Sequence, residues 1–417
     1  MTRPPTRALL GTGAVLLTST LILTGCGSGF SGEDSASPDA EGLTSSDDAL
    51  TLLIGSSGDA ETAAVQSAVD AWSEDSGVEV SLQVASNLDQ ELSQGFAAGN
   101  PADLFYLSTD QLAGYAANGS LQPYGDQLEN KDDFYPSLVE NFTVDDTFYC
   151  APKDFSTLAL VINTRLWADA GLTDADIPET WDDLAAVAKT LTTADQVGLA
   201  FGAEYQRIGV FMAGAGGGLV RDGAAIAADE ANVEALDYVK THLADGTFAF
   251  AKDVGAGWGG EALGKQSAAM VIEGNWITGA MSNDFSDVEY TVAELPAGPA
   301  GQGTLQFTNC WGMAADSPNQ QAALELVQYL TSADSQLAFS KAFGPMPSIA
   351  SAADAWTADN EALAPFLSGA DYAQFPPNLD GAADVIADFN AQLESLKSAE
   401  PVQILESVQS NLEAIVP

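Results

Sequence analysis

Acidic side chains dominate the groups in this 417-residue chain that could take part in chemistry. The sequence holds 59 aspartates and glutamates, but only one histidine, His242, and three cysteines. Histidine is the most frequent general base and a frequent zinc ligand, so a single one argues against histidine-based catalysis and against a zinc site. His242 lies in the helix-like run 238–243, where an ordinary packing or surface role is expected. We predict no catalytic residue, no metal and no cofactor.

Two enzyme-like readings stay open at this point. Carboxylates are numerous enough to supply the pair that a glycoside hydrolase needs, but their abundance along the whole chain singles out no pair. Residues 255–260 match the pattern G-x-G-x-x-G after the strand-like run 247–250. A lone match of this kind is weak, and no Walker lysine accompanies it. We therefore expect a binding protein and not an enzyme.

Several tryptophans suit the recognition of a polyhydroxylated ligand. A sugar offers hydroxyl groups and an apolar ring face, so binding it takes aromatic rings with carboxylates and amides at their edges. Trp276 follows Gly274 and Asn275 at a predicted helix start, and Trp258 stands among four glycines. We expect both rings to be accessible, with packing in a core as the alternative for each.

Strands and helices alternate in the segments that must position these residues. The pattern predicts a buried strand at Leu50–Ile54, a strand at 78–84 and a third at 101–107, separated by helices at 61–74 and 88–96. Such an alternation implies a parallel sheet with ligand loops at the carboxyl ends of its strands. The later chain repeats the mixture, with a strand near 159–162 and helices near 180–191, 230–243, Gln320–Leu330 and 382–396.

Length and charge narrow the architecture and the partners. About 370 residues follow the N-terminal segments, enough for two lobes with separate cores. No second linker is apparent, so the lobes are expected to be interleaved along the chain. The formal net charge of −46 argues against nucleic acid and other polyanionic partners.

The N-terminus has the pattern of an exported lipoprotein. Arg3 and Arg7 precede an apolar run at 8–23, and Leu23-Thr-Gly-Cys26 resembles a bacterial lipobox. We predict a signal peptide at 1–25, lipidation of Cys26 and a polar tether at 26–48 that spans about 25 Å. The protein is then held at the extracellular face of a bacterial cell membrane. An ordinary signal peptide with an incidental cysteine is the alternative.

The two remaining cysteines form an even pair. Because an exported chain meets an oxidising setting, Cys150 and Cys310 are expected to form a disulfide. Two separately buried thiols are the alternative.

Several motifs in the ordered part of the sequence have a familiar arrangement. They are Asn-Pro-Ala-Asp-Leu-Phe-Tyr-Leu-Ser-Thr-Asp at 100–110, Leu-Ala-Leu-Val-Ile-Asn at 158–163, Pro-Glu-Thr-Trp-Asp-Asp-Leu at 178–184, Glu-Gly-Asn-Trp at 273–276 and Ala-Asp-Ser-Pro-Asn at 315–319. In this order the chain resembles, from about Leu50 to its C-terminus, the extracellular sugar-binding proteins of ABC importers, the family that includes maltose-binding protein. The third motif is similar to a helix start, with Thr180 or Asp182 as the cap.

The resemblance implies an α/β fold of two interleaved lobes, the type II-like periplasmic-binding-protein fold, with a hinge and a central ligand cleft. The N-terminal lobe would comprise 49–155 and about 312–347, and the C-terminal lobe about 156–309 and 348–417. The chain would cross between the lobes near 154–157 and 308–313. Cys150 and Cys310 would then lie beside two different crossings, where a bridge ties the hinge strands together without locking the lobes shut.

The resemblance also implies a monomer that captures a mono- or oligosaccharide by lobe closure and delivers it to a membrane permease. A receptor for a peptide, an amino acid or a metal is the alternative, with an exported glycoside hydrolase behind it. Two departures from maltose-binding protein leave the sugar unassigned: Gln111 replaces the basic partner of Asp110, and Ser156 replaces a glutamate. Helix capping by Asp110 and a charged surface loop at 204–207 are further alternatives. The implied ligand-binding residues are Ser108, Asp110, Phe155, Ser156, Glu204, Tyr205, Gln206, Trp258, Trp276, Asn309, Trp311 and Asn378.

Overall fold

Short apolar segments that alternate with helices build the first of two main sheets. The computed structural model describes residues 42–416, and within them this sheet has four strands in the order β14-β3-β1-β2. Strands β1, β2 and β3 are parallel, as the sequence predicts, and β14 runs antiparallel to β3. The strands are β1 (Leu50–Ile54), β2 (Val80–Val84), β3 (Leu104–Ser108) and β14 (Asn309–Met313).

The second main sheet collects seven strands in the order β10-β7-β11-β6-β13-β15, with β12 also paired to β6. Parallel pairing joins β10 to β7 and β7 to β11, whereas β6 is antiparallel to β11, β12 and β13. The strands are β6 (Ser156–Asn163), β7 (Val197–Phe201), β10 (Phe248–Phe250), β11 (Ala268–Gly274), β12 (Tyr290–Ala293), β13 (Thr304–Phe307) and β15 (Ala373–Gln374).

Two small hairpins lie outside the main sheets. They consist of β4 (Thr143–Val144) with β5 (Thr147–Phe148) and of β8 (Val220–Arg221) with β9 (Ala224–Ala225).

Helices follow most strands and pack against the sheets. Thr180 caps α6 and accepts a hydrogen bond from the Asp183 amide, which settles the capping residue between the two candidates. The first half of the chain holds α1 (Asp59–Ser76), α2 (Leu88–Ala97), α3 (Thr109–Ala117), α4 (Pro136–Asn141), α5 (Thr164–Asp169), α6 (Trp181–Leu191), α7 (Tyr205–Gly214) and α8 (Glu230–Asp245). The second half holds α9 (Gly259–Gly264), α10 (Ile277–Asn283), α11 (Gln320–Leu330), α12 (Ala333–Phe343), α13 (Ala353–Asp359), α14 (Ala364–Ser368), α15 (Ala382–Leu393) and α16 (Pro401–Glu413).

Alternating side chains of the second sheet enter two different cores. On β6, Leu158, Leu160 and Ile162 join the larger core, whereas Ala159 and Val161 join the core on the opposite face. This is the period of two that a strand imposes, and it leaves the whole of β6 buried. The first sheet has a core of its own, which defines an N-terminal lobe, and the second sheet defines a C-terminal lobe.

Close packing requires glycine where α6 approaches β7. A Cβ atom on Gly198 would lie 2.1 Å from the carbonyl oxygen of Ala188, so a larger residue would push the helix from the sheet.

Three segments connect the lobes. The first passes through Lys153–Asp154–Phe155 between a bridge that pairs Pro152 with Cys310 and the start of β6. The second is the single residue Thr308 between β13 and β14, so that β14 already belongs to the first sheet. The third runs from the end of α12 to α13: Met346 pairs with Phe155, Ile349 and Ala352 still pack in the core of the first sheet, and Trp356 packs in a core of the second.

Cys150 and Cys310 form a disulfide with a Cα–Cα distance of 5.7 Å. Both residues belong to the core of the N-terminal lobe. The bridge therefore joins the chain just before the first crossing to the strand just after the second, and it leaves the C-terminal lobe free of a covalent link to the hinge.

The predicted signal peptide at 1–25, the lipid-accepting Cys26 and the tether residues 27–41 lie outside the described residues. Residues 43–48, which composition assigns to the tether, are fixed against the start of α11. Thr44 donates from its hydroxyl to the Ser317 carbonyl at 2.7 Å, and Asn319 donates to the Asp48 carbonyl at 3.0 Å. None of the helices within residues 42–416 combines the length and hydrophobicity needed to cross a bilayer.

Candidate functional site

A cleft of about 600 Å³ lies between the two lobes, with the crossing segments as its floor. The carboxyl ends of β1 and β3 supply Ser57 and Asp110 on the N-terminal side. On the other side, the residues after β7 and β11 supply Gln206 and Trp276. Both sheets therefore direct the carboxyl ends of parallel strands at the same space, which is where α/β folds place ligands.

Seven of the twelve ligand-binding residues expected from the sequence line this cleft. Ser108 is the N-cap of α3, so Asp110 belongs to the first turn of that helix and does not cap it. The seven residues are Ser108, Asp110, Phe155, Ser156, Gln206, Trp276 and Asn309.

The other five lie elsewhere. Tyr205 and Trp311 are each 1 % exposed and pack in the lobe cores, against Phe389 and Tyr106 respectively. Tyr205 directly precedes the cleft residue Gln206 on α7, and Trp311 lies two positions after the cleft residue Asn309 on β14, but neither side chain lines the cleft. The remaining three are Glu204, Trp258 and Asn378. Glu204 pairs with Arg207, and the ring of Trp258 covers Gly260. Asn378 donates a hydrogen bond to the Asn141 carbonyl.

One group of cleft residues was not predicted from the sequence. We call it the hinge cluster, and it consists of Glu61, Lys153 and Asp154. The Lys153 ammonium lies 3.3 Å from Glu61 Oε1 and also pairs with the Asp154 carboxylate. Glu61 additionally accepts hydrogen bonds from Ser57 N and Oγ, both at 2.7 Å, and from the Tyr106 hydroxyl at 2.9 Å. The only signal in the sequence is a lysine in a chain with few basic residues, at a predicted crossing.

The hinge cluster ties the first crossing to the N-terminal lobe. Lys153 is 8 % exposed, and its ammonium also stands 4.6 Å from the centre of the Tyr106 ring. Burial would raise the pKa of Glu61, but the Lys153 charge and the Ser57 and Tyr106 hydrogen bonds outweigh it and hold that pKa below 4.5. For Asp154, burial outweighs the attraction of Lys153, so its pKa is raised. The pKa of Lys153 is raised because its two carboxylates outweigh burial.

A second ionic group stands behind Trp276, and we call it the Trp276 cluster: Glu204, Arg207, Glu273 and Trp276. Arg207 bonds Glu273 Oε2 at 2.7 Å and Glu204 Oε1 at 2.9 Å. The indole Nε1 of Trp276 donates to the same Glu273 oxygen at 3.1 Å, while the guanidinium lies 5.2 Å from the ring centre. The ring is thus fixed in position, yet Trp276 is 37 % exposed and lines the cleft.

Glu273 is the most enclosed member of the Trp276 cluster, with a side chain that is 1 % exposed. Its pKa is raised because burial outweighs the charge and hydrogen bond of Arg207 and the hydrogen bond of Trp276. Its other oxygen accepts a hydrogen bond from the Gly259 amide at 3.2 Å. Every polar contact of this carboxylate therefore serves to orient neighbours, and none is directed at the cleft.

Hydrogen-bonding groups remain free at the cleft. Within residues 42–416, the Asp110 carboxylate has no hydrogen bond or ion pair with another side chain. Asp89 lies close to it: burial and, to a smaller extent, the charge of Asp110 raise the pKa of Asp89. Gln306 is fully buried and lines the cleft, and its Nε2 has no acceptor in that same range. The cleft thus presents an aromatic ring and a free carboxylate, and the unpaired amide nitrogen of Gln306 lies buried in its lining.

The described part of the chain contains no cluster of three or more His, Cys, Asp or Glu side chains that could hold a metal ion.

Known proteins resemble this chain in sequence and in fold. A curated Brucella abortus protein, named there only as a binding protein, is 25 % identical over 367 residues, which cover 82 % of this chain and 87 % of its own length. The diacetylchitobiose binding protein DasA of Streptomyces coelicolor is 26 % identical over 334 residues, covering 77 % of each chain. The GacH receptor of Streptomyces glaucescens, solved unliganded and with acarbose, superimposes with a TM-score of 0.78 at 22 % identity, covering 88 % of this chain and 98 % of its own.

The fold of two sheets around a central cleft is thus the fold of this receptor. In addition, the family model for bacterial extracellular solute-binding proteins matches residues 67–365, which include all three crossings and every strand of the two main sheets except β1 and β15. The chain belongs to the family of bacterial extracellular solute-binding proteins.

Proposed function

We propose that this protein captures a mono- or oligosaccharide in the cleft between its lobes and delivers it to the permease of an ABC importer. The observation that carries the proposal is Trp276, an aromatic side chain that is 37 % exposed at the wall of a polar cleft. A large apolar ring that is held in place and left partly open suits the apolar face of a sugar ring.

The polar groups around this ring support a sugar over other small solutes. A sugar hydroxyl both donates and accepts, so it can pair with the Asp110 carboxylate and with the Gln306 amide donor in one ligand. Leaving either group unpaired in a closed cleft is costly, which gives selectivity. The names of DasA and of the GacH complex, diacetylchitobiose and acarbose, point to the same class of ligand.

Lobe closure is the proposed mechanism of capture. The cleft takes residues from both lobes, and the three crossings beneath it are short enough to act as a hinge. A ligand that contacts Asp110 on one wall and Trp276 on the other stabilises the closed arrangement, which the permease then recognises.

Anchoring through Cys26 completes the proposal. A lipid-modified cysteine and a tether would keep a monomeric receptor close to its transporter and raise its effective concentration there. One acyl chain binds a membrane only marginally, so several are expected on this residue.

The ligand proposal is tested by a thermal-shift screen followed by calorimetry. The screen contains maltotriose, N,N′-diacetylchitobiose and acarbose beside a set of peptides, amino acids and divalent metals. We expect saccharides to raise the melting temperature, and Trp276→Ala to lower the affinity of the best one about 30-fold, as for a binding hot spot.

Tyr329→Ala is the matched control, because Tyr329 is also 37 % exposed but lies on α11 outside the cleft lining. Unchanged affinity in Trp276→Ala would remove this ring from the site. If only peptides or metals raise the melting temperature, the ligand is not a saccharide. Release of shortened oligosaccharides would indicate a hydrolase.

The anchor is tested by expressing Cys26→Ser in a bacterial host beside the unaltered chain. We expect the unaltered protein in the membrane fraction, with the mass of the lipids on its N-terminal peptide, and the variant in soluble fractions. Equal distribution of both would contradict lipidation at this residue.

A further inference from the structure

The cations nearest the cleft are already neutralised by protein carboxylates. Lys153 is held between Glu61 and Asp154, and Arg207 between Glu204 and Glu273. Both are largely buried, with 8 % and 12 % of their side chains exposed. A negatively charged ligand would have to draw one of them away from two carboxylates, and breaking buried pairs of this kind is strongly unfavourable.

The ionisable side chains that line the cleft are acidic in sum. They are three carboxylates, Glu61, Asp110 and Asp154, against the single cation Lys153. Asp110 has no cationic partner within residues 42–416, and the nearby Asp89 belongs to the same face. A concave site concentrates such a potential, and the net charge of −46 on the whole chain adds to it.

The free donor in the cleft is uncharged. Gln306 is fully buried, and its Nε2 has no acceptor among the described residues although the residue faces the cleft. An amide donor is satisfied by a hydroxyl or carbonyl oxygen of a neutral ligand. A hydroxyl placed against Asp110 can donate to it, whereas an ionised carboxylate or phosphate group in that place cannot donate and repels it.

We propose that the cleft is a charge filter, which admits uncharged saccharides and excludes uronic acids and sugar phosphates of similar size. This inference rests on the proposed function, and it adds to it the charge class of the ligand. Three features produce this selectivity: the hinge cluster, in which Lys153 is already paired, the carboxylate of Asp110, and the carboxylates that pair with Arg207.

Collisional quenching of Trp276 tests the filter without any ligand. The fluorescence of this residue is obtained as the difference between the unaltered protein and Trp276→Phe, and it is quenched with caesium chloride, potassium iodide and neutral acrylamide at equal ionic strength. Each quenching constant is divided by that of free N-acetyltryptophanamide. A local potential that stabilises a unit positive charge by only 1 kT enriches caesium and depletes iodide. The ratio of the two normalised quenching constants is then about seven, and without such a potential it is one.

Variants separate the cleft from the charge of the whole protein. We expect Asp110→Asn to reduce the caesium-to-iodide ratio about twofold, in line with the loss of one nearby charge. The matched control Asp359→Asn removes an exposed carboxylate on α13, outside the cleft lining, and should leave the ratio unchanged. A ratio of one or less in the unaltered protein would overturn the proposal, as would equal effects of the two substitutions.

Ligand binding is compared directly in the same thermal-shift format. Maltotriose, galactose and N,N′-diacetylchitobiose are set against trigalacturonic acid, glucuronic acid and glucose 6-phosphate at equal concentrations. We expect any shift to come from the uncharged group, and a shift of equal size from an acid would overturn the charge filter while leaving saccharide binding intact. If none of the compounds shifts the melting temperature, saccharide binding is contradicted, and the quenching ratio still decides the charge filter.

Discussion

The hinge cluster and the Trp276 cluster contain the same kinds of charged groups but hold different elements in place, a crossing segment in one and an aromatic ring in the other. Each places one cation between two carboxylates, and in each the cation is mostly buried. In the hinge cluster the cation belongs to a crossing segment and braces that segment against α1 and β3. In the Trp276 cluster the cation lies behind an aromatic ring and fixes its orientation toward the cleft.

The pKa values of the buried glutamates in the two clusters are shifted in opposite directions. The pKa of Glu61 is lowered, because its ion pair and its hydrogen bonds from Ser57 and Tyr106 outweigh the cost of burial. The pKa of Glu273 is raised, because deeper burial outweighs Arg207 and Trp276. An ion pair alone therefore does not fix the direction in which the pKa of a buried carboxylate shifts, because the depth of burial and the additional hydrogen-bond donors also count.

Removing the cation of the hinge cluster should have the largest effect. Lys153→Met leaves Glu61 and Asp154 buried without a counter-charge, so we expect the free energy of unfolding to fall by roughly 3–5 kcal/mol. Urea denaturation measures the change. Lys240→Met removes the exposed ion pair with Glu400 and should cost about 1 kcal/mol or less. Equal losses in the two variants would contradict a bracing role for Lys153.

Removing the cation of the Trp276 cluster should cost less stability but affect binding. In Arg207→Met the raised pKa of Glu273 eases its protonation, so we expect a loss of about 2 kcal/mol in unfolding free energy. Because the ring loses its support, saccharide affinity should fall about tenfold, as measured by calorimetry. Arg165→Met, at an exposed pair with Asp169, is the control that should change neither quantity.

The pH dependence of stability should separate the two glutamates by sign. The lowered pKa of Glu61 means that its contribution is present above its ordinary value of 4.5 and is lost as the pH falls through the folded-state pKa. The stability deficit of Glu61→Gln, measured by urea denaturation, should therefore shrink between pH 7 and pH values below 4.5.

Glu273 should behave in the opposite way. With a raised pKa, its contribution is complete below 4.5 and is lost as the pH rises through the folded-state pKa. The unaltered protein should therefore gain stability relative to Glu273→Gln as the pH falls from 7. Parallel pH profiles for the two variants would contradict the difference between the clusters.

A single hydrogen bond of the hinge cluster should have the smallest effect. Ser57→Ala removes the hydroxyl that donates to Glu61 Oε2 at 2.7 Å, and we expect a loss of about 1 kcal/mol in unfolding free energy at pH 7. The loss should disappear in a Glu61→Gln background if the bond acts through the ionised carboxylate. Ser93→Ala, at an exposed serine on α2, is the control.

The order and type of the elements followed from local pattern. The strand at Leu50–Ile54 and the helix at Gln320–Leu330 have the predicted bounds, and β1, β2 and β3 pair in parallel as expected. Periodicity reports which residues face a sheet and which face solvent, and this is a local property of the sequence. For the same reason Trp276 could be selected from its neighbours at the end of a strand.

The partners of the site residues did not follow from local pattern. Glu61 and Lys153 are 92 positions apart, and Arg207 and Glu273 are 66 apart. Tyr205 and Trp311 adjoin cleft residues in sequence but turn into the cores. Which face of a strand end or helix start meets the cleft depends on the register between segments that are distant along the chain.

The sequence by itself determined the α/β class, the alternation that makes a parallel sheet, an even pair of cysteines and the excess of acidic side chains. The tertiary structure decided that the two cysteines meet, that two cations are neutralised beside the cleft and that one tryptophan is left partly exposed in the cleft wall. The physical reason is that burial and ion pairing depend on distances in space between residues that are far apart along the chain, and the packing of the sheets, helices and crossings sets those distances.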